Sequence, residues 1–360
     1  MSNPFINLNG GDPDVEAPKC VKDALMKAFK EGGVWTHYGG RDIPREFREA
    51  VVDYYKTIGP EYKPENVIPT AGSSAALYVA LTTILDRGDE ILMWEPSYSG
   101  HYRLLNNMGV KVSCAPLKEE TGWHPDMDTL QEYVSPKTKG VLICNPNNPT
   151  GTVFTKDELK GICDIAVDND MAVFSDEIYL HFVYGDSKFH STAGLGYEDR
   201  TLNIMSFSKT FSMTGYRLGY TIVPDRYLEK ATMVQGMAAA RPATFVYAGG
   251  TAALRSDLKY VEERRKIYGG RVDYICNALN DIDGISCIPS QGAFYAWFNI
   301  KELGIGSQEF CDRLQKEGVG MRPGKVFGIN TDGYVRAALV RPVDDLKEVV
   351  AKVENVVNSL

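Results

Sequence analysis

The sequence has no apolar run approaching the roughly 20 residues that a membrane-crossing helix needs, so no bilayer span is expected. It has no excess of basic charge either: 39 Lys and Arg stand against 47 Asp and Glu, a net charge of −8. That balance argues against nucleic acid or an anionic membrane as a partner, although a local basic cluster could still hold a small anion. Cysteine is sparse. Its seven residues, an odd number without paired spacing, form neither a disulfide framework nor a zinc-ligand pattern. Cys114, Cys144, Cys163 and Cys276 fall within apolar patterns and read as core, and a reducing cytoplasm is the expected home. The first residues, Met1-Ser2-Asn3-Pro4-Phe5, lack the basic and apolar regions of a signal peptide. Internal repeats and low-complexity tracts are missing as well, which excludes solenoids and flexible arrays.

What remains is an ordinary globular composition, 44% hydrophobic and 24% charged, in a chain of 360 residues. That length is more than one core usually holds, so one large and one smaller domain are expected. Residues 3–18 are rich in Gly, Pro and Asn and read as an extended arm. A helix with Val21, Ala24, Leu25 and Ala28 on one face follows, then the aromatic, Gly-rich loop Trp35 to Arg41. Phe47, Ala50, Val51 and Tyr54 mark a second amphipathic helix.

From residue 66 short apolar runs alternate with helical segments, the pattern of βα units around a largely parallel sheet. The runs are Val67-Ile68, Ile91 to Trp94, Val110 to Cys114, Val141 to Cys144, Met171 to Phe174, Leu202 to Met205 and Tyr220 to Val223. Thr155-Lys156-Asp157-Glu158 is a capping box that opens a helix with Leu159, Ile162, Cys163 and Ala166 on one face. Beyond about residue 250 the alternation weakens. Helical stretches (258–277, 307–317) and short strands (293–298, 334–339) predict a smaller α+β domain, which the arm is expected to join.

The segments after the strands carry the chemistry. They are Thr70-Ala71-Gly72-Ser73-Ser74, Glu95-Pro96-Ser97-Tyr98, Asn145 to Gly151, Asp176-Glu177-Ile178-Tyr179 and Ser206-Phe207-Ser208-Lys209. Ligands of open α/β sheets bind beyond the carboxyl ends of the strands, so these five segments should converge on one site. Lys209, set among small and apolar residues, would lose charge by desolvation and become a nucleophile toward aldehydes. A lone S-x-S-K is more often a solvated loop, and only the company of the other segments lifts it above that. Ser73 and Ser74 open a helix, where free N–H groups and hydroxyls can hold an anion. Ser206, Ser208 and Arg217 could complete a phosphate cradle.

These motifs, with the arm Asn9-Gly10-Gly11-Asp12-Pro13 and Gly333-Tyr334-Val335-Arg336, resemble the class I/II aminotransferases of fold type I, of the aspartate aminotransferase kind. The resemblance covers the chain from the arm to Arg336, in family order. It implies a large α/β domain with a mostly parallel seven-stranded sheet flanked by helices, plus a smaller α+β domain. The expected divisions are residues 1–35 as arm and part of the small domain, 36–250 as the large domain and 251–360 as the small one. It implies pyridoxal 5'-phosphate as cofactor, an amino acid and a 2-oxo acid as substrates, and a ping-pong transfer of the amino group. Lys209 matches the lysine that bonds the cofactor and carries the substrate proton, and Asp176 the carboxylate against the pyridine nitrogen. Tyr179 and Asn148 match partners of its phenolic oxygen, and Tyr98 the ring stacked on it. Gly72, Ser73, Ser74, Ser206, Ser208 and Arg217 match the phosphate site. Tyr38 resembles a residue that reaches the phosphate from a neighbouring subunit, which implies a homodimer with shared active sites. Arg336 matches the anchor of the substrate α-carboxylate, with a backbone contact from Gly11 and with Asn148 beside it.

Two other readings stay open. One is carbon–sulfur β-elimination on the same cofactor, although its practitioners usually alter the central motif that stands here as N-P-N-N-P-T-G. The other is a non-catalytic ligand-sensing domain, which the intact Lys209, Asp176 and Arg336 and the missing DNA-binding segment disfavour. For the donor, aspartate with 2-oxoglutarate is the first choice, and an aromatic or neutral donor is the second. Arg241, Arg41 and the loop Trp35 to Tyr38 are the candidates for side-chain recognition.

Overall fold

The computed structural model describes residues 5–38, 42–238 and 241–360. The arm opens with β1 (Ile6–Asn7) and leads into α1 (Lys19–Glu31) and α2 (Asp42–Tyr55). The βα region follows as β2 (Val67–Thr70), α3 (Ser73–Ile84), β3 (Glu90–Glu95), α4 (Ser99–Met108), β4 (Lys111–Pro116) and β5 (Thr138–Cys144). It continues with α5 (Lys156–Asp168), β6 (Ala172–Asp176), β7 (Thr201–Ser206), α6 (Phe207–Thr210), β8 (Gly219–Ile222), α7 (Leu228–Met237) and α8 (Val246–Leu254). The rest of the chain forms α9 (Lys259–Asn280), β9 (Ser286–Cys287), β10 (Tyr295–Asn299), α10 (Ser307–Lys316), β11 (Val319–Gly320), β12 (Arg322–Pro323), β13 (Tyr334–Ala338) and α11 (Val343–Asn358).

Seven strands make the main sheet, in the order β2-β8-β7-β6-β5-β3-β4. All pairings are parallel except those of β8, which runs against both β2 and β7. Strands covered on both faces must be apolar on both, which explains the continuous runs. In β3, Ile91 and Met93 join the core on one face, and Leu92 and Trp94 join the core on the other. The capping box forms as expected: Thr155 Oγ1 accepts from Glu158 N at 3.2 Å, and Leu159, Ile162, Cys163 and Ala166 are buried.

The reversal of β8 has a consequence for the site. Its amino end lies at the edge where the parallel strands finish, so Arg217, just before it, arrives beside the loops that follow β2, β5, β6 and β7. A second core gathers α9, α10, α11 and the four-stranded sheet β12-β13-β10-β9.

The arm is extended, as its composition predicts, but it is not free of regular structure. Ile6 N donates to Gly318 O and Leu8 N to Gly320 O, both at 2.8 Å, and β1 pairs in parallel with β11. The alternation of Ile6 and Leu8 buries both side chains in this second core, which anchors the arm there, whereas α1 packs Val21 and Leu25 against the core containing Val246 and Tyr247.

Candidate active site

The arm, the carboxyl edge of the main sheet and the β12–β13 ribbon enclose a cavity of about 960 Å³. Lys209 stands in it on the short helix α6. Ser206 caps that helix, its Oγ accepting from Ser208 N at 3.1 Å, which sets the turn carrying the lysine. The Lys209 ammonium donates to the carbonyl of Gly11 in the arm. Burial pushes its pKa down to about 8. Asp12 and Asp176 resist that shift, and Arg336 and Arg217 add to it. Gly11 has to be a glycine for the arm to come this close, because a Cβ there would collide with the Tyr295 hydroxyl and sit 2.9 Å from the Phe294 ring.

Asp176 ends β6 and is buried. Its Oδ2 lies 3.1 Å from His101 Nε2, and His101 Nδ1 lies 3.2 Å from Ser97 Oγ. Both His101 neighbours are therefore polar groups, and the ring is held between them in a fully enclosed position. Tyr179, one turn beyond Asp176, shares a 2.7 Å hydrogen bond with the hydroxyl of Tyr295, and burial holds its phenol well above the usual range.

The Asn145–Gly151 segment locks onto itself. Asn147 Nδ2 donates to Thr150 Oγ1 at 2.9 Å, Gly151 N to Asn147 O at 2.9 Å, and Phe154 N to Asn145 Oδ1 at 2.9 Å. This leaves Asn148 facing the cavity, where its Oδ1 accepts from Arg336 Nη1 at 3.0 Å. Arg336 is buried on β13. Its Nη2 donates to Asn9 O at 2.5 Å, and its guanidinium lies 4.4 Å from the centre of the Tyr295 ring and 4.9 Å from that of Phe327. Its Nε is buried and has no partner among the described residues.

Donors for an anion collect at one end. α3 begins at Ser73 without a side-chain cap, and Ser73, Ser74, Ser208 and Arg217 line the cavity. The guanidinium of Arg217 donates to Thr214 O at 2.7 Å and to Ala71 O at 3.2 Å. It occupies the space where a side chain at Gly72 would be, and Gly72 has a φ of +88°, so both the backbone and the arginine require glycine. Tyr98 lines the wall between these donors and His101, with its ring 5.3 Å from the histidine and edge-on to it.

Not every expected residue joins the cavity. The Ser206 hydroxyl is consumed by capping α6 and by a 2.9 Å bond to Ser208 Oγ, so it supports Ser208 rather than lining the space. Tyr38 is fully exposed and Arg241 is exposed, and neither lines this chain's cavity. Trp35 is tied to Glu31 through its indole N–H, away from the cavity. Arg41 lies outside the described residues. Sequence reasoning missed Tyr295, His101, Asn9 and Phe327. For His101 a signal existed, since it follows Tyr98 by three residues on a helix that starts at the strand end.

The sequence model described as "Aminotransferase class I and II" matches residues 3–353. The chain belongs to this family and is an aminotransferase. It is 37% identical to an aspartate aminotransferase of Pyrococcus horikoshii over 97% of this chain and 90% of that one. It is 35% identical to aromatic-amino-acid aminotransferase 2 of Thermococcus litoralis, over 98% and 91%. The crystal structure of the aromatic aminotransferase from P. horikoshii OT3 superposes with a TM-score of 0.93 at 34% identity, covering 99% of this chain and 96% of that one. The seven-stranded, mostly parallel sheet with its flanking helices is thus the aspartate aminotransferase fold. Among the described residues no helix is long and apolar enough to cross a membrane.

Proposed function

We propose that the cavity holds pyridoxal 5'-phosphate and moves the α-amino group of an L-amino acid to a 2-oxo acid in two half-reactions. The donor set fits such a group. An uncapped helix start with Ser73, Ser74, Ser208 and Arg217 suits its phosphate, a buried carboxylate at Asp176 suits its ring nitrogen, and an amine lies between them. The observation that carries this reading is Lys209, an amine desolvated to a pKa of about 8 in the same cavity as Asp176, Arg217 and Arg336. When bound, the cofactor supplies an aldehyde for amine exchange and a ring that draws electron density from the substrate Cα.

The protein's own residues do the rest. Lys209 Nζ would hold the cofactor until the substrate amine displaces it, and the amine so freed would take the Cα proton and return it, tasks that a pKa near working pH suits. Asp176, oriented by His101, would keep the ring nitrogen protonated. Tyr179 and Asn148 would hold the cofactor's phenolic oxygen, and Tyr98 would pack on its ring. Arg336 grips the substrate α-carboxylate and so orients the Cα–H bond. The Gly11 carbonyl accepts from Lys209, which leaves only its N–H to serve the substrate. Tyr38, exposed at the surface, completes the phosphate site of a second copy in a homodimer, and the cysteine usage suits the cytoplasm. Aspartate with 2-oxoglutarate is the first donor–acceptor pair to test, supported by the relatives' names, with an aromatic donor second.

The test is an absorbance titration of the cofactor-loaded protein with single amino acids and no oxo acid. Stoichiometric conversion to the amine form, with one equivalent of oxo acid released, is expected. Continuous ammonia release without that conversion would point to β-elimination. Lys209→Ala should abolish conversion.

A further inference from the structure

A second guanidinium in the cavity has no role in the scheme above. Where β12 runs antiparallel to β13, Arg322 is directly opposite Arg336. Directly opposed residues point to the same face with Cβ atoms about 4.5–5.5 Å apart, and like charges in that relation are destabilising. Both side chains line the cavity. Arg336 is held below the usual arginine range by burial first, and the charge of Arg322 contributes to that shift. The two also converge on one acceptor: the Asn9 carbonyl takes Arg336 Nη2 at 2.5 Å and Arg322 Nε at 3.4 Å.

Neither arginine has a carboxylate partner among the described residues. Arg336 is buried and largely committed to Asn148 and Asn9, whereas Arg322 is exposed toward the cavity with its terminal nitrogens uncommitted. Arg103 and Lys325 line the cavity too, but neither is brought beside Arg336 by strand register. Two cations side by side without a counter-ion are an arrangement that a ligand with two negative charges relieves. The α-carboxylate on Arg336 supplies one charge, and the ribbon spacing suits the second acid of a short diacid.

We propose that Arg322 receives the side-chain carboxylate of the substrate. The site then selects acidic amino acids and their 2-oxo acids over neutral and aromatic ones, with both anchors on one ribbon of one chain. This rests on the reading of Arg336 as the α-carboxylate anchor.

The experiment is calorimetric binding to the cofactor-loaded enzyme, comparing maleate, a diacid, with 3-phenylpropionate, a monoacid, for the unmodified protein, Arg322→Met and Arg322→Lys. Loss of a charge-assisted contact predicts that Arg322→Met weakens maleate by about tenfold to a hundredfold. Binding of 3-phenylpropionate should change by less than about twofold, and Arg322→Lys should recover part of the maleate affinity. The KM for aspartate and 2-oxoglutarate should rise in parallel.

Equal weakening of both ligands would overturn the proposal, because Arg322 would then serve the α-carboxylate or the ribbon itself. Unchanged maleate binding would overturn it as well. If O-phospho-L-serine loses affinity and maleate does not, the second group is a phosphate and the carboxylate assignment fails. Retained 3-phenylpropionate binding reports an intact fold, and if Arg322→Met does not fold, Arg322→Gln gives the same ratio. Failure of the aminotransferase reading would look different: no donor would be converted by the unmodified protein, whatever the maleate ratio.

Discussion

Asp176 and Glu177 are neighbouring buried carboxylates that face opposite sides of the main sheet and live in opposite chemistry. Successive side chains at a strand end alternate between faces. Asp176 therefore turns to the cavity, where its Oδ2 meets the ring of His101 and its Oδ1 takes only a long bond from Ile178 N, at 3.4 Å. Glu177 turns away and is surrounded by donors. The hydroxyls of Tyr55, Ser175 (2.9 Å) and Ser191 (2.8 Å) and the amide of Asn203 (2.9 Å) all donate to it. Burial still pushes Glu177 up to about 7, against the pull of those four donors. A carboxylate acquires a function from what it faces, since burial and sequence position are shared here. Asp176 is left available for a ligand, whereas Glu177 is saturated by the protein and serves the packing around Tyr55.

That contrast can be broken from either side. Asp176→Asn removes the charge facing the cavity and should lower the rate of the half-reaction by about 10²–10³-fold, with the melting temperature little changed. Glu177→Ala should do the reverse. It strands four buried donors and should cost several kcal/mol in denaturant unfolding, while kcat of the protein that remains folded stays close to that of the unmodified enzyme.

Glu177→Gln sharpens the comparison through pH. The folded-state pKa of Glu177 lies above the ordinary carboxylate value, so its contribution is fully present below about pH 4.3 and is lost as pH rises through about 7. The stability of the unmodified protein relative to Glu177→Gln should therefore fall across that window, by up to a few kcal/mol. A flat difference between pH 5 and 8 would contradict the assignment.

His101→Phe keeps an aromatic ring and removes the side-chain partner of Asp176, and should lower kcat by about tenfold without the pH-dependent stability change. The smallest effect concerns Lys209. Its amine should react with pyridoxal phosphate with a midpoint near pH 8, and Asp176→Asn should move that midpoint down because the Asp176 charge holds it up. Glu177→Gln should leave it in place. Stopped-flow absorbance across pH would read both.

Much of this was legible beforehand, for physical reasons. Strands covered on both faces must be continuous apolar runs, and all seven of those runs became strands of the main sheet. The segments after the strands carry Lys209, Asp176, Tyr179, Asn148, Tyr98 and Ser73, and parallel order alone brings their ends to one edge. The residues that escaped come from elsewhere in the chain. Tyr295 and Phe327 sit in ordinary apolar contexts, and nothing local distinguishes them from core aromatics until β10 and the loop before β13 fold over Arg336. Ser206 was legible as polar but not as a cap, because a hydroxyl before a helix can serve a ligand or the helix and only the backbone direction decides. The long helix α11 buries Leu346, Val349, Val353 and Val356 at helical spacing, a pattern the sequence itself carries.

The sequence by itself determined the class of chemistry, because a lysine, an aspartate and serines after a glycine at strand ends need only local order to become an amine, a carboxylate and a cluster of free donors. The tertiary structure decided what those groups face. Reversal of β8 brought Arg217 to the site, strand register set Arg322 beside Arg336, and the arm carried Gly11 and Asn9 from the other end of the chain to close the cavity. Desolvation and charge proximity depend on such long-range contacts, so the pKa of Lys209 and the surroundings of Arg336 were set only once the chain had packed.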